Sequence, residues 1–226
     1  VVQQPLRLAA ALNVLRVLLE GHSDVPVLRE VLTRRFRLVE DRDFRLIPHQ
    51  GKGALPKNPL AAPEVGRRGL LDQLPAKLRA FAGLGAGDPV VVVVDADRTP
   101  CTELLAALQA MLNRLPQRPS SVLFRIAIEE VESWFVADVR ATLAAFPRCR
   151  RERLRRVPPD AVVGAAEVLD RALGGRGGHV PGAVKVARAT AIAPYLNLDD
   201  PPSPSLARLI AGLARVIDAR AQQGPA

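Results

Sequence analysis

The chain has 226 residues, 48% hydrophobic and 24% charged, with 32 Lys and Arg against 23 Asp and Glu for a net charge of +9. Its size suits one full domain with an extension or two small ones, and its hydrophobic content excludes a disordered chain, which lacks the apolar residues to bury a core. The charge makes polyanions such as nucleic acid the partners to look for, although Lys52, Lys57, Lys77 and Lys185 are the only lysines, so coding bias toward arginine explains the charge equally well.

In chain order, short apolar runs alternate with amphipathic segments, the pattern of βα units and a mostly parallel sheet. Leu12 to Leu19 reads as the first strand. Ser23 or Asp24 can cap a helix with Pro26 in its first turn and Val27, Leu28, Val31 and Leu32 on its apolar face, ending near Arg37. Phe44 to Ile47 is a second strand, and Gly51, Gly53, Pro56, Pro59 and Pro63 mark a long loop of the kind that often carries function. Leu70, Leu71, Leu74, Leu78 and Phe81 predict a helix interrupted at Pro75.

The valine run Val90 to Val94 is a central strand buried on both faces. It is far shorter than the ~20 apolar residues that cross a bilayer, and no signal-peptide pattern is present, so a cytoplasmic protein without a membrane partner is expected. Leu104, Leu105, Leu108, Met111 and Leu112 mark a helix, Val122 to Ile128 a strand, and Phe135, Val139, Leu143 and Phe146 one further helix. Beyond Pro147 strand signals cease, and Asp160 to Leu173, Ala183 to Leu196 and Ser205 to Ala219 read as helices. Cys101 and Cys149 have neither CxxC spacing nor a Cys/His cluster around them, which points to reduced thiols rather than a disulfide or structural zinc.

The chemistry collects where strands end. In an open parallel sheet the crevice lies at the carboxyl ends of the strands, and three runs end in acids: Glu20-Gly21-His22-Ser23-Asp24, Asp95-Ala96-Asp97, and Glu129-Glu130-Val131-Glu132. Taken singly, Asp24 reads as a helix cap and the glutamates as first-turn carboxylates favoured by a helix dipole. Taken together at one sheet edge, they repel one another unless a hard cation offsets them, and carboxylate oxygens suit Mg²⁺ or Mn²⁺.

Glu20-Gly21 after the first strand, followed by a hydrophobic strand ending in Asp95-Ala96-Asp97, resembles the signature of the TOPRIM superfamily of topoisomerases, bacterial primases and overcoming-lysogenization-defect (OLD) nucleases. The segments LLEGHSDVPVLREVL, GKGALPK, VVVVVDADRTPC, RIAIEEVESWFVAD and APYLNLDDPPSPSL look like a bacterial TOPRIM-like family of unknown function linked by analogy to anti-phage nucleases. The resemblance implies an α/β TOPRIM-like domain over residues 1–150, with a mostly parallel sheet flanked by helices, and a helical C-terminal extension over 151–226 packed on it. It implies a Mg²⁺- or Mn²⁺-dependent nuclease with Glu20, Asp95 and Asp97 as catalytic residues. The metal ligands implied are Glu20, Asp24, Asp95, Asp97, Glu130 and Glu132, with Asp24 and the Glu130/Glu132 pair completing a second ion position. Nucleic acid is the implied partner, with a partner ATPase of the kind that accompanies OLD nucleases. Lys52, Arg98 and Lys185 are the candidate contacts to substrate phosphate. Thr99 stands where the fuller topoisomerase pattern has a third acid, which counts against topoisomerase or primase activity.

Two other readings stay open. Asp95-x-Asp97-x-Thr99 is also the first motif of haloacid-dehalogenase-like phosphatases, with Asp95 as nucleophile, Lys185 as the later lysine and Asp199-Asp200 as the acidic pair. That leaves Glu20 and Glu130 unexplained and requires Ser or Thr where Glu129 and Glu130 stand. The other reading is a non-catalytic nucleic-acid-binding subunit. Gly51-Lys52-Gly53 lacks the spacing of a P-loop. The run Arg148, Arg150, Arg151, Arg153, Arg155, Arg156 reads as a phosphate-tracking face or a solvated one. His22 lies beside two acids but reads as a loop bystander, His49 and His179 have no partners at metal spacing, and Trp134 is expected to pack against the core.

Overall fold

The computed structural model describes residues 14–83, 88–97, 99–155 and 157–222. Four parallel strands, β1 (Leu15–Leu19), β2 (Phe44–Pro48), β3 (Val90–Asp95) and β4 (Val122–Ala127), lie in the order β2-β1-β3-β4. The chain leaves β1 to one side to make β2 and returns on the other to make β3. The boundary between β1 and β3 is therefore a topological switch point, where parallel sheets open a crevice beyond their carboxyl ends.

The alternation of side chains along each strand sorts the core into two layers. Leu15, Val17 and Leu19 of β1 and Val91 and Val93 of β3 face one cluster, completed by Leu28, Trp134, Leu169, Ile192 and Leu213. Leu18 of β1 and Val90, Val92 and Val94 of β3 face the other, completed by Leu74, Leu78, Leu108 and Met111. The register Val17↔Val91 and Leu18↔Val92 aligns the two alternations. Five consecutive buried valines contribute roughly 1.5 kcal/mol or more apiece, which explains an unbroken apolar run where a half-exposed strand would alternate.

The helices flanking this sheet are α1 (Val25–Glu30), α2 (Leu70–Phe81), α3 (Cys101–Asn113), α4 (Glu132–Ala137), α5 (Val139–Ala145), α6 (Arg151–Arg155), α7 (Ala165–Ala172), α8 (Gly182–Ile192) and α9 (Pro204–Gln222). A π-helical turn, Val31–Arg35, continues α1, and a 3₁₀ turn, Ala193–Tyr195, continues α8. Among the described residues no helix is long and apolar enough to cross a membrane. Both thiols are free, Cys149 being buried.

Several elements differ from the sequence reading. The described part of the first strand begins at Leu15, and Leu12 lies outside the described residues. The expected interruption at Pro75 does not occur. Leu70, Leu71, Leu74, Pro75 and Leu78 are buried together against the sheet, and that packing outweighs the roughly 3 kcal/mol an interior proline costs. The single helix read across Phe135 to Phe146 is two, hinged at Asp138 (φ −90, ψ 75), whose carboxylate accepts from the Ala141 and Asn197 N–H groups. The helix read from Asp160 starts only at Ala165. Asp160 instead sits at φ 56 and accepts from the Ser205 N–H and the Ser203 and Ser205 hydroxyls.

Candidate active site

Glu20 leaves β1 at the switch point, and its Oε2 accepts from the Asp95 N–H across the gap to β3 (3.2 Å). Asp24 is the N-cap residue of α1, but its carboxylate does not cap the helix. Its Oδ2 turns back to accept from the Gly21 N–H (2.9 Å) and its Oδ1 from the Ser23 hydroxyl (3.3 Å), while its backbone carbonyl accepts from the Leu28 N–H. The carboxylate is thereby folded into the protein, 3% exposed, beside Glu20.

The β3 and β4 ladders continue past the strands, with the Ala96 N–H donating to Ala127 O (2.9 Å) and the Asp97 N–H to Glu129 O (3.0 Å). Asp97 (φ 49) and Glu129 (φ 63) both take left-handed backbone there, so the chains turn sharply off the sheet edge. Lys52 reaches this point from the long loop. Its Nζ donates to Ala96 O (3.1 Å) and Asp97 Oδ2 (2.8 Å). The base of that loop is held by the Leu70 N–H to Gly51 O (2.8 Å) and the Leu71 N–H to Lys52 O (2.7 Å). Gly53 lies so close to Gly69 and Asp72 that a Cβ would fall 2.2 Å from Asp72 Oδ2.

After β4 the three glutamates part company. Glu129 accepts from the Gly164 and Ala165 N–H groups at the start of α7, a structural contact. Glu130 and Glu132 share Lys185 of α8, which donates to Glu130 Oε2 and lies 3.6 Å from Glu132 Oε1.

The result is a set of acids with too few cations. Burial raises Glu20 to about 7, with the charges of Asp24 and Asp97 adding to it against the Asp95 N–H and Lys52. Burial raises Asp24 to about 6 despite the Gly21 N–H, and Glu132 to about 7 despite Lys185. Asp95 is pushed well above its ordinary value, by burial and then by the charges of Asp24, Glu20, Glu132 and Glu130. Burial alone would lower the Lys185 ammonium, but Glu132 and Glu130 outweigh it and hold that charge above its ordinary value.

Glu20, Asp24, Asp95, Glu130, Glu132 and Lys185 are thus brought into one electrostatic unit, with Asp97 and Lys52 at its exposed rim. Arg98 lies outside the described residues. Asp199 sits 3.5 Å from Arg35, about three turns of helix beyond Asp24, so the acidic pair invoked for a phosphatase is far from Asp95. The exposed arginines 151, 153 and 155 are on α6, and Arg156 is outside the described residues. Trp134 packs in the core, its indole N–H donating to Ser205 Oγ (2.7 Å). His22 and His179 are exposed, and His49 is buried with Nδ1 2.8 Å from Leu19 O.

The donor set suits a hard divalent cation. Every candidate ligand is a carboxylate, and Asp95 Oδ1 is shielded from water with no hydrogen-bond partner among the described residues. Among the described residues no three His, Cys, Asp or Glu side chains are already closed around one point. Lys185, Lys52 and the Asp95 N–H instead draw Glu130, Asp97 and Glu20 toward themselves.

Sequence reasoning did not foresee that Glu129 serves α7 or that Lys185 is wedged between two glutamates. Both depend on helices far along the chain. No protein-family model and no curated protein matches the sequence. Among solved structures, the C-terminal region of the Xanthomonas campestris pv. campestris OLD protein, phased with platinum, matches with a TM-score of 0.50 and 15% identity, over 94% of this chain and 95% of that one. The same region phased with mercury gives 0.49 and 14% over 94% and 98%. This chain has the fold of that OLD region. The α/β class and the resemblance drawn from Glu20-Gly21 and Asp95-Ala96-Asp97 agree with the OLD-like fold at the level of architecture.

Proposed function

We propose that the chain is a Mg²⁺- or Mn²⁺-dependent phosphodiesterase of TOPRIM type acting on nucleic acid. The observation that carries this reading is Asp95: a carboxylate at the switch point, one oxygen unpartnered and dry, ringed by Glu20, Asp24, Glu130 and Glu132. A group so placed is destabilised by its neighbours unless a cation joins it.

Glu20, Asp24, Asp95 and Asp97 would hold one ion, and Glu130 and Glu132, with Asp24, a second. A divalent cation there supplies Lewis-acid polarisation of a phosphoryl oxygen and a lowered pKa for bound water. Where the ion does not engage Glu20, its burial favours the protonated form, which suits it to pass a proton to a leaving oxygen. Lys185 orients Glu130 and Glu132, and its remaining N–H can meet phosphate charge. Lys52 orients Asp97 at the open rim. A partner ATPase and a role in anti-phage defence extend the same proposal from the OLD-like fold.

The test is cleavage of single- and double-stranded DNA and RNA with Mg²⁺, Mn²⁺ or EDTA, using wild type, Asp95→Asn and Glu20→Gln. Both variants should lose at least about a hundredfold in rate while still binding the nucleic acid. A phosphomonoester assayed in parallel separates the phosphatase reading, in which Asp95→Asn ends turnover and Glu20→Gln spares it. Nuclease activity that survives EDTA, or full activity in Glu20→Gln, overturns the proposal.

A further inference from the structure

The helix whose beginning carries Asp24 ends in a second charged site of opposite sign. Arg34, Arg35, Arg37, Arg140, Tyr195 and Asn197 line a concave pocket of about 540 Å³ between the end of the π-helical turn, α5 and the turn after α8. Arg34 is committed to the fold, donating to Ala193 O (3.2 Å) and Leu196 O (3.3 Å). Arg35 lies over the Phe36 ring (5.9 Å to its centroid) and 3.5 Å from Asp199, a carboxylate 91% exposed. Arg37 and Arg140 have no side-chain hydrogen bond or ion pair among the described residues. Three guanidiniums thus share one pocket with a single weakly held acid.

Two backbone irregularities fall in the segment that supplies them. The helix widens into a π turn at Val31–Arg35, a rare feature that often marks functional sites. It then ends with the Leu38 N–H donating to Leu32 O (3.1 Å) around Arg37 at φ 57. That is the helix-ending position where glycine is the usual residue. An arginine there is strained, and strain of this kind tends to persist where the side chain is used.

We propose that this pocket binds a compact polyphosphate, the di- or triphosphate of a nucleotide, with the base against Tyr195. Guanidinium forks match phosphate oxygens two at a time, and several forks converging in one concavity suit adjacent phosphates better than a backbone strand, whose phosphates are spread along a line. Tyr195 is 51% exposed at the pocket wall, an aromatic face left open. Its volume is within the range of small-ligand sites. About three turns of helix separate it from Asp24, so it is distinct from the carboxylate site.

The experiment is calorimetric titration of the full chain, without divalent cations, by inorganic tripolyphosphate, ATP and a single-stranded oligonucleotide. Tripolyphosphate and ATP should bind at one site per chain. Arg37→Gly combined with Arg140→Ala should weaken both by more than about tenfold; glycine keeps the backbone at position 37, and Arg140→Gln alone should give part of the loss. Tyr195→Ala should weaken ATP and leave tripolyphosphate unchanged. Arg45→Ala with Arg215→Ala, matched in charge but outside the pocket, should alter neither. Absence of saturable tripolyphosphate binding, an equal loss in the charge-matched control, or binding here of the oligonucleotide alone overturns the proposal. Because no metal is present, the outcome is independent of whether the carboxylate site cleaves nucleic acid.

Discussion

The two ends of the helix that starts at Val25 present charge in opposite ways. At its beginning, five acids crowd into a half-buried cleft with one ammonium among them, and four of them are pushed toward neutrality. At its far end, arginines stand exposed around a pocket with one loosely held acid. Charges out of water interact strongly and are costly to leave unpaired, whereas exposed charges are screened. The first region therefore couples charge to stability, and the second leaves its charges free for a ligand.

The largest test of this contrast removes the cation that Glu130 and Glu132 share. Lys185→Met strips Glu130 and Glu132 of their shared partner. Since Lys185 is 27% exposed, a discounted loss of about 2–3 kcal/mol at pH 8 is expected in urea unfolding. Arg140→Ala, which breaks no pair, should change stability by less than about 0.5 kcal/mol. Similar losses in the two variants would show that burial does not distinguish the ends.

A second variant should act in the reverse direction. Asp95→Asn removes the charge most opposed by its surroundings and adds N–H donors beside Glu20 and Asp24. Metal-free protein should gain about 1–2 kcal/mol at pH 8, although the same change ends the proposed activity. Functional groups are commonly held at such a cost. A destabilised Asp95→Asn would mean that the carboxylate is satisfied as it stands.

What could be read from the sequence divides along the same line. The strands were legible because Val90 to Val94 is uniformly apolar and Leu15 to Leu19 is apolar but for Arg16, and a parallel sheet sends whatever follows them to one edge. Glu20, Asp24, Asp95 and Asp97 were located by that rule without knowledge of any contact. The roles of Glu129 and Lys185 were hidden because each is set by a helix more than thirty residues away. The hinge at Asp138 was hidden because its carboxylate answers the Asn197 N–H, far outside any local period. The arginine pocket was likewise invisible, since Arg34, Arg35 and Arg37 look like an ordinary basic helix end until the turn after α8 closes over them.

The acid cluster also predicts the sign of the pH dependence. Glu20 and Glu132 rise from 4.5 to about 7, and Asp24 from 3.8 to about 6, so the folded protein holds these protons more tightly than the unfolded chain. Their contribution is fully present below about pH 4 and is lost as pH rises through 6 and 7. Asp43 and Asp170, held low by hydrogen bonds from Arg42 and Arg188, act oppositely and favour folding above the ordinary carboxylate range. Metal-free protein should therefore be about 1–2 kcal/mol more stable near pH 5.5 than at pH 8, and Asp95→Asn should flatten that slope. A stability that rises from pH 5.5 to 8 would contradict the crowding on which the candidate site rests.

The smallest expected effect belongs to the other end. Arg37 occupies left-handed backbone at φ 57, which disfavours a non-glycine residue by roughly 1–2 kcal/mol. Arg37→Gly relieves that strain but gives the unfolded chain more freedom, worth about 0.5–1 kcal/mol in the opposite sense. The guanidinium itself holds no partner among the described residues whose loss would add to the balance. The variant should consequently be neutral or stabilised by up to about 0.5 kcal/mol, while Arg37→Ala, which keeps the strain, should not gain. A loss above about 1 kcal/mol in the glycine variant would show that Arg37 supports the fold through its side chain, and would remove the contrast between a costly buried charge and a free exposed one.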